Sequence, residues 1–482
     1  MRILIVGNDP SEIGGVANYT RPLASRLSEL GHEVHYLYSG AYHSTYDLSF
    51  RPYLKRRRGE FPFECAEIVN SPCLPFNFGL PELDLEAPAI DALLSGYLES
   101  VKPDVMHVHS RFGLPVSLNR IASGKGIVVL NTIHVYGYLC QKRVMIDHEG
   151  APCPGPFDLE RCAACTGEID YTRERLRAVL RNYNKALRAK SPVLFRLLQR
   201  LKGALKAVPV SGGAGEGKGE ASRSGPVPEL GHRLAERLAY CTETLNLYCD
   251  RTICVSNDVK ATLERYGVKG SRLMVQHIGS VIAARQAARH RPPHQPLVIG
   301  NIGGVNYYKG THILMEAVSR VRGGNFVVKI FGKYGDDYVA GLKERFPGLP
   351  VEFTGRYAPQ DLPEILKQID VMVLPSICND TAPQTIFESF SGGVPIIASR
   401  IGGFPDFVEH GRNGLLFEPG DSGDLAAAIE RVLAEPELLL GFRRNVPRLK
   451  TIDENARELV LLYGELAETG CYMSETPAAC RI

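Results

Sequence analysis

The chain has 482 residues, more than one compact core ordinarily holds, so two domains are expected. Hydrophobic residues make up 44% and charged residues 23%, and the formal net charge is only +3, which points neither to nucleic acid nor to a strongly acidic partner. No apolar run approaches the roughly 18 to 20 residues that span a bilayer, and MRILIVGNDP reads as a first strand entering a Gly-rich turn rather than a signal peptide, so a cytoplasmic chain is expected.

In chain order, RILIV reads as a buried strand, and NDPSEIGGVANY as a loop entering a helix that runs to about Leu30 and stops at Gly31. EVHYLY, PDVMHVHS and GIVVLNTIH are the next strands. Such alternation implies a parallel sheet covered by helices, with ligands at the C-terminal ends of the strands. Gly14 and Gly15 sit at the first such end; lacking Cβ, they let a ligand approach the backbone, although a plain strand-to-helix turn explains the pair equally well. His134 closes the strand VVLNTIH. His107 and His109 share one face of their strand, where a structural role is expected.

The alternation breaks near residue 140. Residues 140–165 are rich in Cys and Pro, 171–207 are basic and helical in period, and SGGAGEGKGEASRSGPVPELG (211–231) reads as a flexible linker. Alternation resumes at RTICVSNDVKATLERYG. After RHRPPHQP (289–296) come five more strands: PLVIGNIGG, NFVVKIFG, VEFTG, VMVLPS and VPIIAS. The fold class is therefore α/β, with two doubly wound, Rossmann-like domains facing a cleft. These are 1–275, carrying the insertion and linker at 166–240, and 297–450, with a hinge at 276–296 and a helix and tail at 451–482.

The twelve cysteines are scattered and no disulfide framework is expected. Cys162 and Cys165 form a C-x-x-C pair, and Cys140 and Cys153 are near enough in sequence to complete four thiolates. A tetrahedral structural zinc site is the first reading, reduced thiols packing a loop the second, and disulfides the least favoured. In the basic segment 171–207 Leu and Val alternate with Arg and Lys at helical spacing, which suits either a basic amphipathic helix on an anionic membrane surface or a helical hairpin packed on the first domain with its charges in water.

Residues 375–398, PSICNDTAPQTIFESFSGGVPIIA, carry the densest pattern. Thr381 and Gln384 have capping-box spacing and Pro383 suits a first turn, which predicts a helix from Thr381 to Gly392–Gly393. Its N-terminus, with Thr385 in the first turn, suits a diphosphate. Glu388 lies one turn beyond Gln384 on the same face, placed for hydroxyl recognition. A capped surface helix with two carboxylates, Asp380 and Glu388, is the plainer alternative.

IGNIGGVNYYKGTHILMEAV, VEFTGRYAPQDLPEILKQIDVMVLPS, the stretch at 375–398 and IGGFPDFVEHGRNGLLFEPGDSGDLAAAI resemble, in that order, the donor-binding half of the family 4 glycosyltransferases of GT-B fold; MRILIVG…GGVANY and VVLNTIHVYGYLC resemble their acceptor half. The resemblance implies that Lys309 pairs with a nucleotide-sugar diphosphate. It also implies that Asp380 and Glu388 stand in the family's Glu-x7-Glu motif, the first near the transferred sugar and the second on the ribose. The helix start at Thr381, Pro383, Gln384 and Thr385 then faces the donor, and the Gly14–Gly15 loop lies beneath the donor phosphates or acceptor. Thr132-Ile133-His134 matches the family's Thr-x-His-Asp with Val135 in place of Asp, which makes His134 the residue facing the reacting sugar.

Where the family has Gly-Arg before the lysine this chain has Gly303–Gly304, so Arg356 or Arg400 is expected to supply the second phosphate cation. Members with a similar cysteine cluster after the His-containing strand support its structural role. The implied activity is metal-independent, retaining transfer of a sugar to a hydroxyl acceptor, a glycan or lipid-linked saccharide, at the inner face of a membrane and with no catalytic cofactor. Two other readings are an epimerase of the same fold and a degenerate sugar-nucleotide-binding scaffold.

Overall fold

The computed structural model describes residues 1–12, 14–41, 51–73, 80–167, 227–285 and 292–473, with isolated positions between 176 and 193. The chain forms two compact units, one of Met1–Ala17, Ser28–Leu130 and Pro156–Asp250, the other of Asn18–Leu27, Asn131–Gly155 and Arg251–Ile482. Both are α/β with parallel sheets.

In the first unit, β1 (Arg2–Val6), β2 (Glu33–Ser39), β3 (Tyr53–Arg57), β4 (Glu64–Val69) and β5 (Val105–Val108) lie in the order β3-β4-β2-β1-β5. All neighbours are parallel except β3 and β4. Ile3, Leu4, Ile5 and Val6 are fully buried, the unbroken apolar run that a strand covered on both faces requires. The sequence YLKRR gives β3 an exposed, basic rim, which discourages pairing with another chain at that edge.

The helix Val227–Leu247 packs on the helix Leu159–Thr166 through Leu230 and Leu234 against Ala163, with Phe157 and Cys162 beside them. The linker expected over 211–231 therefore ends by residue 226, because two leucines one turn apart have an apolar partner to bury against. The same helix is tied down by a buried carboxylate. Asp84 accepts from Arg111 Nη1 at 2.8 Å and from Arg237 Nε and Nη2 at 2.9 and 2.6 Å, so two guanidinium groups offset the cost of taking it out of water. The basic segment 171–207 and the remainder of the linker lie outside the described residues, apart from isolated positions. Among the described residues no helix is long and apolar enough to cross a membrane.

In the second unit, β7 (Arg251–Cys254) and β8 (Leu273–Val275) form a parallel pair. Six further strands, β9 (Leu297–Ile302), β10 (Phe326–Phe331), β11 (Val351–Gly355), β12 (Val371–Leu374), β13 (Ile396–Ser399) and β14 (Gly414–Phe417), form a parallel sheet in the order β11-β10-β9-β12-β13-β14. Ile299, Val328, Ile330, Val373 and Ile397 fill its core with helix residues such as Leu314 and Ile429. From β9 the chain proceeds outward through β10 and β11, then returns to β12 on the other side of β9. The strand order thus reverses between β9 and β12. The C-terminal ends of those two strands are therefore the switch point of the sheet, the place where open α/β sheets bind ligands.

Candidate active site

Two loops meet at this switch point. The first leaves β9 through Gly303, whose φ of 116° is comfortable only without a Cβ, and whose added Cβ would lie 3.3 Å from the Thr385 methyl. It continues into a short 3-10 turn, Tyr307–Lys309, started by Asn306, whose side-chain oxygen accepts from the Lys309 amide at 3.0 Å. Gly310 follows at φ 70°, and a Cβ there would fall 1.7 Å from the Pro375 carbonyl oxygen. Gly310→Ala is accordingly expected to cost about 3 kcal/mol of unfolding free energy, from left-handed strain plus a backbone overlap with no flexible atom to yield. Chemical denaturation checks this, and a loss under about 1 kcal/mol would mean the two loops can part without penalty.

The second loop leaves β12 and carries Ser376, Asp380 and Thr381. Lys309 Nζ donates to Asp380 Oδ2 at 2.5 Å, and Ser376 Oγ donates to the same oxygen at 3.2 Å. Burial pulls the Lys309 ammonium down, but the charge of Asp380, the nearby Cys378 and the hydrogen bond outweigh it and hold the lysine above its ordinary value. It therefore stays charged. Lys309, Asp380, Thr385, Gly303, Gly304 and Ser376 line one small pocket with Phe404. Gly402 and Gly403 back the Asp380 segment: added Cβ atoms would lie 2.5 Å from the Asp380 oxygen and 2.3 Å from the Thr381 oxygen, and the Gly403 amide donates to Asp380 O at 2.7 Å. This Gly pair, in IGGFPDF, was given no role from sequence, although two glycines before an aromatic were its visible signal.

The helix after this loop runs Gln384–Ser391, with Pro383 as its N-cap and no side-chain cap hydrogen bond. The capping box expected at Thr381 is not formed. A residue preceding proline is disfavoured in helical conformation, so Ala382 stays outside the helix and Pro383 becomes its N-cap. Thr381 Oγ1 donates instead to the His134 carbonyl at 2.6 Å. The helix does end at Gly392–Gly393, as expected.

Glu388, one turn into this helix, is half-buried, and burial pushes its carboxyl up to about 7. Its carboxylate makes no hydrogen bond or ion pair among the described residues. Tyr357 is close by: burial, and then the charge of Glu388, push its phenol up. Arg356, immediately before Tyr357, is exposed and makes no ion pair among the described residues. Arg400 is engaged elsewhere, with Nε 3.3 Å from Glu418 Oε1.

His134 follows β6 (Val128–Ile133), its ring 5.2 Å from that of Tyr19, and burial pushes its imidazole down to about 4, so it is neutral at pH 7. Gly14 and Gly15 belong to the first unit, at the start of the helix Gly15–Glu29, and an added Cβ at either would meet nothing within 4 Å. His107 and His109, also in that unit, are buried with ring centroids 3.9 Å apart. Cys140 and Cys153 lie in the second unit, and Cys162 and Cys165 on the helix Leu159–Thr166 of the first; all four are half-buried. Among the described residues no three His, Cys, Asp or Glu side chains are grouped to hold a metal ion.

Two family models match the chain, one described as Glycosyltransferase Family 4 over residues 13–201 and one as Glycosyl transferases group 1 over residues 296–435. The chain is 30% identical over 148 residues to sulfoquinovosyl transferase SQD2 of Arabidopsis thaliana, covering 30% of this chain and 28% of that protein. It is 29% identical over 199 residues to the lipopolysaccharide core biosynthesis glycosyltransferase LpsE of Rhizobium meliloti, covering 40% of this chain and 57% of that protein. The matched region is thus less than two thirds of either relative. Among solved structures, sucrose-phosphate synthase from Thermosynechococcus elongatus superposes with a TM-score of 0.61 at 17% identity, covering 97% of this chain and 99% of that one. Anabaena HepE in complex with UDP gives 0.56 at 14% identity, with 97% and 99% coverage. At these identities the likeness is one of fold. The epimerase alternative finds no support in these matches.

Proposed function

We propose, for a chain that belongs to the glycosyltransferases of GT-B fold, that it transfers a sugar from a nucleoside-diphosphate donor to a hydroxyl acceptor, with retention of configuration, in the assembly of a cell-surface or lipid-linked glycan. The observation that carries this reading is the charged Lys309, held by Asp380 in a pocket at the switch point of the β9–β14 sheet. An ammonium there offsets the charge that develops on the diphosphate as the sugar leaves. The start of the helix Gln384–Ser391 adds its positive dipole end, and Arg356 is the cation not engaged by a carboxylate, in contrast to Arg400.

Glu388 receives the ribose hydroxyls, for which an unpartnered half-buried carboxylate is suited. Asp380 stands beside the sugar and shares Lys309 with the diphosphate. His134, neutral at pH 7, offers a hydrogen bond to a sugar hydroxyl without adding a positive charge. In the transfer the bond from C1 to the diphosphate oxygen breaks, a bond from C1 to the acceptor oxygen forms on the same face, and the acceptor proton passes to the leaving diphosphate. Assembly of a surface glycan is favoured by the relative named for lipopolysaccharide core biosynthesis.

A thermal-shift panel of UDP, GDP and ADP with their sugars tests the donor. One of them is expected to raise Tm by about 5 °C or more at 100 times its Kd, since a ligand bound only by the folded state adds about 2.7 kcal/mol at that excess. If every nucleotide leaves Tm unchanged, the proposal fails.

A further inference from the structure

A second pocket, of about 470 Å³, lies on the other side of the loop that carries Lys309. That volume falls in the ~300–1,000 Å³ range of ligand sites. Its walls come from three places within the second unit: the loop containing Lys142, Asp147 and Glu149, the residues Asn306, Tyr307 and Tyr308 at the foot of the lysine turn, and Gly335 and Tyr338 at the start of the helix Asp336–Arg345. Tyr307 and Tyr308 are adjacent large aromatics left 44% and 46% exposed, where burial would ordinarily claim at least one. Their rings stand at 82° with centroids 6.0 Å apart, forming a corner. Tyr307 is also held in place from behind, its ring parallel to that of His312 at 4.4 Å with an interplanar angle of 4°.

The polar groups around the corner define what fits it. Lys142 Nζ spends one of its three donors on the Asp147 carbonyl at 3.1 Å. Asp147 Oδ1 is taken up by the amides of Glu149 and Ala151 at 2.9 and 2.8 Å, which shapes the loop. The Glu149 carboxylate makes no hydrogen bond or ion pair among the described residues. Lys142 set against the Asp147 and Glu149 carboxylates, with His148 beside them, leaves no net positive charge to attract a phosphate. Apolar ring faces beside hydroxyl-accepting carboxylates and a spare ammonium donor match an uncharged sugar, which has an apolar C–H face and a rim of hydroxyls.

We propose that this pocket binds a neutral saccharide unit of the acceptor, with its C–H face against Tyr307 and its hydroxyls toward Glu149 and Lys142. This rests on the glycosyltransferase reading and places the acceptor beside the donor, since Gly303, Gly304 and Lys309 of the same loop line the donor pocket.

Saturation-transfer difference NMR on the full chain tests it, with the probes methyl α-glucoside, methyl α-mannoside, methyl β-galactoside, N-acetylglucosamine, lactose and maltose. At least one is expected to show transfer to its ring protons, undiminished by saturating UDP, GDP or ADP. Affinity should fall about tenfold in Tyr307→Ala, as on loss of a stacked ring, and persist in Tyr307→Phe. The nucleotide-induced thermal shift, retained in both variants, shows that they fold. The inference is overturned if no sugar receives transfer, if a nucleotide displaces the sugar, or if Tyr307→Ala binds as well as the parent chain. A chain that binds a nucleotide but no sugar defeats this inference alone, whereas one that binds neither defeats the donor reading as well.

Discussion

Replacing Lys309 with alanine is expected to lower kcat/KM by about 100- to 1,000-fold, the range seen when one preorganised group facing developing negative charge is removed. Two effects add. The ammonium that offsets the leaving diphosphate disappears, and Asp380, now bonded only to Ser376 Oγ at 3.2 Å, becomes an uncompensated carboxylate beside the phosphates. The pocket thus changes by a full charge and the residual charge has the wrong sign for the donor. Folding should be little affected, because the Lys309 side chain is 41% exposed and the pair is part-solvated. Asp380→Asn separates the two effects: it frees the lysine, so donor affinity should hold or rise while transfer falls. Steady-state transfer assays on both variants decide the matter. A Lys309→Ala enzyme within about fivefold of the parent would remove the lysine from the donor site.

Glu388→Gln is expected to do opposite things to stability and to binding. Burial raises the Glu388 carboxyl to about 7 in the folded chain. Its ionised form is therefore disfavoured by folding, and stability present below the unfolded value is lost as pH rises through about 7. The neutral glutamine escapes this, so at pH 8 the variant should unfold up to about 3 kcal/mol less readily than the parent, with little difference at pH 5. The same change weakens the donor about tenfold, since hydroxyl donors prefer a carboxylate over an amide oxygen. In the parent chain donor affinity should fall as pH drops from 8 to 6 and Glu388 takes up a proton, while the variant shows a flat profile. Calorimetric titration of the best nucleotide at three pH values, with Tm measured alongside, tests both halves. A variant that is less stable at pH 8, or that keeps the parent's pH dependence of binding, would deny Glu388 this role.

The readings that held are those that depend on short-range chemistry. RILIV, PLVIGNIGG and VMVLPS announce β1, β9 and β12 because a strand buried on both faces is mostly apolar, as ILIV, LVI and VMVL are. Gly31 and Gly392–Gly393 stop their helices as expected, since a helix end needs no distant partner to be declared. The readings that failed were overruled from nearby or from afar. Thr381 has the spacing of a cap, yet Ala382, disfavoured as helix ahead of Pro383, stays out of the helix, and the Thr381 hydroxyl turns to the His134 carbonyl. Residues 227–231 have linker composition, yet Leu230 finds Ala163 and the segment is helical.

By itself the sequence determined the α/β class and most of the strands, and it named candidates for the chemistry: a lysine after a Gly-rich turn, a pair of acids around a polar run, a histidine at a strand end. It could not determine their company. Lys309 and Asp380 are 71 positions apart, and only the strand order that seats β12 beside β9 brings them to 2.5 Å. Arg356 and Arg400 are equivalent as letters, and Glu418 on a neighbouring strand's end separates them by engaging one. The exposed corner of Tyr307 and Tyr308 is likewise set by the fold, since local sequence does not say which aromatic rings are left uncovered. Backbone preferences and hydrophobic runs act over a few residues and so are written locally, whereas charge pairing, burial and pocket shape depend on distances that exist only once the sheet has assembled.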